Sequence, residues 1–183
     1  MNVKDAWTQL ERVVGDIEGA SDQLADGAID GKILATEAIL GIKFPESFRA
    51  SYRIHDGTEG HLFVVGPYRL WPLSYIVEEN LRNKSNIGDD PEMLHGADDS
   101  GLIRGCIFSP GWTTFGDDGG ASQLAIDFDP AARGIAGQVI ALYEDGTEHV
   151  AESFDSFLTG IVEDIGSGTL EWNEMAGQYW RTD

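Results

Sequence analysis

The chain predicts a single α+β domain, in which a mainly antiparallel or mixed sheet is flanked by helices. Three observations predict it. Apolar residues recur at spacings of three and four near both ends: Val3, Trp7, Leu10, Val14 and Ile17, then Phe154, Phe157, Leu158, Ile161, Val162 and Ile165. Between them, SQLAIDF (122–128) and GQVIALY (137–143) alternate with a period of two. Asp145-Gly146 then supplies a strong hairpin signal.

The elements follow in order. The first helix carries the Val3–Ile17 stripe and stops near Gly19. GASDQLADGAIDG (19–31) is small and acidic and reads as a loop or a weak helix. ATEAILGIKFP (35–45) reads as a short helix ended by Gly41. Pro45 suits the first turn of the next helix, where its missing N–H is no loss. That helix shows Phe44, Phe48 and Tyr52 on one face and ends at Asp56-Gly57. HLFVV (61–65) and YRLW (68–71), split by Gly66-Pro67, read as strand, turn and strand. LSYIVEENLRN (73–83) returns to helical spacing. SNIGDDPEMLHGADDSG (85–101) is polar and rich in breakers, a surface loop.

RGCIFS (104–109) and TTF (113–115) read as strands. In SQLAIDF, Leu124, Ile126 and Phe128 point one way, Ala125 and Asp127 the other, so one face is expected to be buried. GQVIALY sets Val139, Ala141 and Tyr143 against Ile140 and Leu142. GTEHVA (146–151) completes the hairpin. Ser153 is a natural N-cap for the closing helix, and Asp155 suits the positive end of its dipole. We read residues 1–165 as the domain and 166–183 as a tail. The tail's Leu170, Trp172, Met175, Tyr179 and Trp180 suit docking on the body, or a contact surface.

At 183 residues and 42% hydrophobic, the chain has the material for one packed core and is not a disordered one. Its 32 acids against 12 bases leave a net charge of -20. That field repels nucleic-acid phosphate and anionic membrane, and suits solubility first and a basic protein partner second. Cys106 is the sole cysteine, so no intrachain disulfide forms and the cytosol is the expected compartment. No stretch approaches the ~18 apolar residues of a membrane span, and the start has no signal-peptide core.

Chemistry-bearing motifs are few. In GDDGG (116–120), Asp117 and Asp118 are neighbours rather than alternate ligands, and no glutamate follows at EF-hand spacing. Two carboxylates with no nearby base repel phosphate. The stretch reads as a tight turn whose acids stay in water. Asp127 and Asp129 are either paired surface acids or caps for the PAARG turn (130–134), with capping preferred. His55, His61, His95 and His149 form no i, i+4 zinc pair, and GCIF makes Cys106 a small buried side chain rather than a nucleophile. No catalytic residue, metal or cofactor is expected.

Several marks, in order, resemble the SUKH superfamily, which joins fungal cell-wall assembly regulators of the Smi/Knr type with bacterial immunity proteins. They are Trp7 with Leu10-Glu11, the Glu37–Gly57 run through Phe44-Pro45, LWPLSYIVEEN (70–80), and Trp112 with FGDDGGASQLAIDFDP. GQVIALY and SFDSFL complete the set, over residues 3–165. Phe44 departs from the family's usual leucine, and Ala121-Ser122 from its common Gly-Asn. The resemblance implies an α+β domain without catalysis or cofactor. It implies a protein partner: a cognate toxin, often a nuclease, that the chain neutralises, or alternatively an assembly that controls the cell wall. Turn acids at the sheet edge, Asp56, Glu59, Asp117 and Asp118, are the expected contacts.

Overall fold

A computed structural model describes residues 1–87, 100–106, 108–120 and 122–182. Helix α1 (Val3–Gly15) opens on Asn2, whose side-chain oxygen accepts from the Asp5 N–H at 2.9 Å. It stops at Asp16, earlier than Gly19 would have it. Residues 19–31 are neither wholly loop nor a weak helix: a 3-10 turn spans Ser21–Gln23, and α2 (Asp30–Leu40) starts before Ala35. Gly41 ends α2 in the left-handed region, as its lack of a side chain allows. Helix α3 (Glu46–Ile54) follows Pro45 directly.

The sheet has five strands in the order β1-β2-β3-β4-β5, every neighbour antiparallel. They are β1 (Arg69–Leu70), β2 (Trp112–Asp117), β3 (Ser122–Asp127), β4 (Gln138–Tyr143) and β5 (Gly146–Ala151). Helix α4 (Leu73–Ile87) lies between β1 and β2 in sequence, and α5 (Phe154–Ser167) follows β5. Ser153 caps α5 through the Ser156 N–H. The tail folds into a separate hairpin, β6 (Leu170–Asn173) with β7 (Gln178–Arg181). Leu170 and Tyr179 are buried in it, and the Phe63 N–H donates to the Gly177 carbonyl at 2.9 Å.

Aromatic rings fill the main core. Phe48 stacks between Phe44 and Tyr52 at 4.4 and 4.3 Å and meets Phe154 and Phe115 edge-on at 4.9 and 5.6 Å. Phe115 reaches this cluster because it is an extra residue in β2: pairing jumps from Thr114↔Ala125 to Gly116↔Leu124. Leu124, Ile126, Val139 and Ala141 present the sheet's inner face to the same core. Buried polar pairs pin the helices. The Trp7 indole donates to Ser51 Oγ at 2.8 Å, and Glu37 accepts from the Phe44 N–H and from both arms of Arg49 at 2.7–2.8 Å.

Four expectations need correction. The sheet is not half-solvated: Ala125, Ile140 and Leu142 on its second face pack under Leu102, Ile103, Cys106 and Phe108. For that reason 104–109 makes no strand among its described residues. Its apolar groups are spent on covering the sheet, and its backbone closes local turns such as Cys106 N–H to Arg104 O. Residues 61–65 form only the isolated bridges Phe63↔Gln178 and Val65↔Tyr68, since the C-terminal hairpin takes the Phe63 N–H. Finally, 85–87 belong to α4. The surface-loop reading of 88–99, with His95, lies outside the described residues.

Candidate functional site

Two of the four acids singled out in the sequence, Asp56 and Asp117, bind one segment, residues 69–73. Asp56 follows α3 and is only 7% exposed. Its Oδ1 accepts from the Leu73 N–H at 2.9 Å, capping α4, while Lys32 on α2 pairs with Oδ2. One carboxylate thus joins three helices. Gly57 beside it has φ 81°, and a Cβ there would stand 2.6 Å from Trp71 C and Pro72 N. The Thr58 N–H then donates to Leu70 O at 2.7 Å, and Tyr52 Oη donates to Trp71 O at 2.8 Å.

Asp117 approaches the same segment from the other side. It is 8% exposed and accepts from Arg69 Nε at 2.9 Å, from the Trp71 indole, and from the Gly119 N–H at 2.7 Å. Arg69 and Trp71 lie two apart on one strand, and the register sets Arg69 opposite Asp117. The turn reading of GDDGG holds, but only in part do its acids stay in water. Asp118 is half-buried and accepts from the Gly120 and Ser122 N–H groups at 3.0 Å, while Asp117 is inside. Glu59 is exposed. So Asp56 and Asp117 serve the fold from within, Asp118 closes its own turn half-buried, and Glu59 alone of the four is exposed.

The remaining candidates resolve as structure. Asp127 is not on a polar face: it is 0% exposed, and accepts from the Asp129 N–H and from Gln138 Nε2 at 2.9 Å each. The first bond is the turn cap foreseen from the sequence. Burial holds its carboxyl above the usual range, opposed by those two bonds. Cys106 is half-buried, and burial likewise pushes its thiol up, against the pull of Arg104. Such a thiol is a poor nucleophile at neutral pH. His55 bonds Ala25 O and Glu11 through its two ring nitrogens. Among the described residues no helix is long and apolar enough to cross a membrane.

Charge is the remaining surface property. Seven of the twelve bases — Lys32, Arg49, Arg53, Arg69, Arg82, Arg104 and Arg181 — are tied into ion pairs with carboxylates of the chain. Each such pair removes one acid with one base, so the net charge of -20 stays uncompensated. Sequence reasoning missed that Asp56 and Asp117 are internal, because their partners Lys32 and Arg69 are 24 and 48 residues away. The one local signal was Asp-Gly ahead of a strand, which a turn explains equally well.

An α+β domain with this antiparallel sheet and its flanking helices defines a recognisable class. The model of the SMI1 / KNR4 family (SUKH-1) matches residues 27–160, and the chain belongs to that family. All of α1, with Trp7, lies outside the match, as does the C-terminal hairpin. The chain is also similar to a glucan synthesis regulatory protein of Neurospora crassa. The two are 25% identical over 206 aligned positions, which cover 91% of this chain and 39% of that protein. The chain thus spans about two fifths of that relative's length.

Proposed function

We propose that this protein is a non-catalytic binding module for a basic protein partner, and that the partner is a toxin which it neutralises. The observation that carries the reading is the unbalanced charge: 32 acids, with most of the 12 bases already engaged internally. A nuclease needs a basic groove for phosphate, and an acidic surface can occupy it as a charge mimic, steered in at long range. Glu59 is the exposed member of the predicted contact set, Asp118 is half-buried in its turn, and Asp56 and Asp117 hold residues 69–73 in place.

The test is survival. Cells that make toxins encoded beside this gene are supplied with the chain in trans. Protection, with a stable complex and no turnover, is the expected result; failure against every such toxin defeats the toxin reading. A second reading is favoured by the printed name of the Neurospora crassa relative: regulation of glucan or wall synthesis. It predicts wall-stress sensitivity on deletion, with no adjacent toxin. Under either reading Cys106→Ser leaves function intact, and loss of function in a folded Cys106→Ser protein would point to catalysis instead.

A further inference from the structure

Strand β5 (Gly146–Ala151) closes one side of the sheet, and β4 is its one strand neighbour among the described residues. Their hairpin turn has two residues, Glu144 and Asp145, which makes Tyr143 and Gly146 a hydrogen-bonded pair. Pairs alternate from there. Glu148 bonds to Ala141, whereas Thr147 and His149 turn their N–H and C=O groups outward. Among the described residues none bonds these four groups. Lysine and proline commonly blunt such an edge, and β5 has neither. Its guard is the exposed Glu148, which repels an acidic strand but not a basic one. Pairing then jumps from Ile140↔His149 to Val139↔Ala151, so Val150 is an extra residue.

At that bulge the edge meets a pocket of about 270 Å3 between β5 and α5. Val150 and Ala151 form its strand side, Phe157 and Ile161 its helix side, and Tyr68 and Leu170 complete the apolar wall. Two of its polar groups, Asp164 and Arg181, are already paired with each other at 3.1 Å. Gly160 lines it too, in the middle of α5, where alanine would favour the helix. A Cβ at Gly160 would meet nothing within 4 Å. Packing of the fold therefore does not require glycine there, and its absence of a side chain keeps the pocket open. The charge around this edge has one sign. From Gly134 to Trp180 the chain has nine acids and no lysine or arginine. Four of those acids, Glu144, Asp145, Glu148 and Glu152, are exposed on or beside β5.

We infer that an extended segment of the protein partner adds to β5 as a sixth strand, sets one apolar side chain in the pocket beside Gly160, and carries lysine or arginine around it. Main-chain bonds to Thr147 and His149 hold the segment, and the pocket and the carboxylates choose its side chains. Glu148 lies opposite Ala141 and so projects from the face that α5 covers. A base that meets Glu148 therefore stands two residues from the apolar one. A second copy of the chain offers the same edge, but it brings its own four carboxylates against these and is repelled. A helix cannot serve the outward groups, because its own are bonded internally. The inference rests on the reading that the partner is a basic protein, and names how that partner is held.

The test uses the full chain, labelled for NMR, and the peptide acetyl-Lys-Thr-Leu-Thr-Lys-Thr-Lys-amide. Separate arms use the same sequence N-methylated throughout, which keeps the charge and removes the main-chain donors, and a version with glutamate for lysine. The basic peptide is expected to shift the Thr147, His149 and Gly160 amides saturably and to slow hydrogen exchange at Thr147 and His149. Neither control peptide is expected to do so. Gly160→Leu, which fills the pocket, should weaken the basic peptide by at least about tenfold with an unchanged or higher urea midpoint. Glu148→Gln with Glu152→Gln, both at exposed positions, should weaken it by about threefold, and Glu59→Gln should leave it unchanged. No saturable shift, equal binding of the N-methylated peptide, or full affinity in Gly160→Leu would each overturn the proposal. So would dimerisation of the free chain that protects the same two amides, since the edge would then belong to a second copy. The peptides need neither toxin nor host, so a negative titration removes this mode of contact alone. Binding without protection or a wall phenotype removes the functional readings instead.

Discussion

At the residue scale, the acids divide into those that hold the fold and those that face water, and burial separates them. Asp56 and Asp117 look like turn acids in the sequence, yet each is inside: Asp56 accepts from Lys32 and the Leu73 N–H, and Asp117 from Arg69, Trp71 and the Gly119 N–H. Gly57, next to Asp56, combines a positive φ with a backbone neighbour 2.6 Å from where a Cβ would stand. Gly57→Ala is expected to cost at least about 2 kcal/mol, read as a lower urea midpoint. Asp127 gives a pH prediction. Its carboxyl titrates above the ordinary range, so the folded chain takes up this proton at a higher pH than the unfolded chain. Between the two values, stability due to Asp127 falls as pH rises; above the raised value its penalty is constant. Asp127→Asn removes that term. Urea midpoints of variant and parent, compared from about pH 4 to about pH 7, should move in the variant's favour as pH rises. No drift with pH would contradict the assignment.

At the element scale, the sheet solves an edge problem with a side chain. Strand β1 is only two residues long, so the outer edge of β2 at Thr114 has no strand to pair with. The Asn80 carboxamide on α4 takes the place of one: Oδ1 accepts from the Thr114 N–H at 3.0 Å, and Nδ2 donates to Thr114 O at 2.8 Å. Asn80→Ala leaves both buried backbone groups unpaired. We expect a loss on the order of 2–4 kcal/mol, with faster hydrogen exchange at the Thr114 amide than elsewhere in β2. Asn80 was legible only as a polar residue in an apolar helix, because its partner lies 34 residues on. By contrast, the strands β3 and β4 were legible in full. Their alternation assigned every side chain to the correct face, and only the claim that one face is solvated failed. What covers that face comes from an irregular segment, and irregular segments carry no period to read.

At the scale of the whole molecule, the excess negative charge is the property that acts beyond contact distance. A basic partner should associate faster at low salt. We expect its on-rate to fall by at least about tenfold between about 50 and 500 mM salt, with a smaller change in off-rate, measured by stopped flow. A salt-independent on-rate would remove electrostatic steering from the account. The C-terminal hairpin belongs to this scale too. Its apolar residues marked it as a docking or contact segment. It is joined to the body at Phe63 and Leu170, while Trp180 remains half-exposed and Met175 fully so. Its two strands could not be foreseen, since four-residue strands around a tight turn leave too few positions to show a period.

The amino-acid order by itself determined the fold class, the helical stripes, the alternating strands, the family and the charge. Each of these is a local pattern or a sum over residues, and neither needs a third dimension. Tertiary structure alone decided which acids are inside, what covers the second face of the sheet, and that Tyr68 and Leu170 complete an apolar pocket beside the open edge of β5. Those outcomes depend on pairings between residues tens of positions apart, and a pairing at that distance is set by packing and register, which no local spacing encodes.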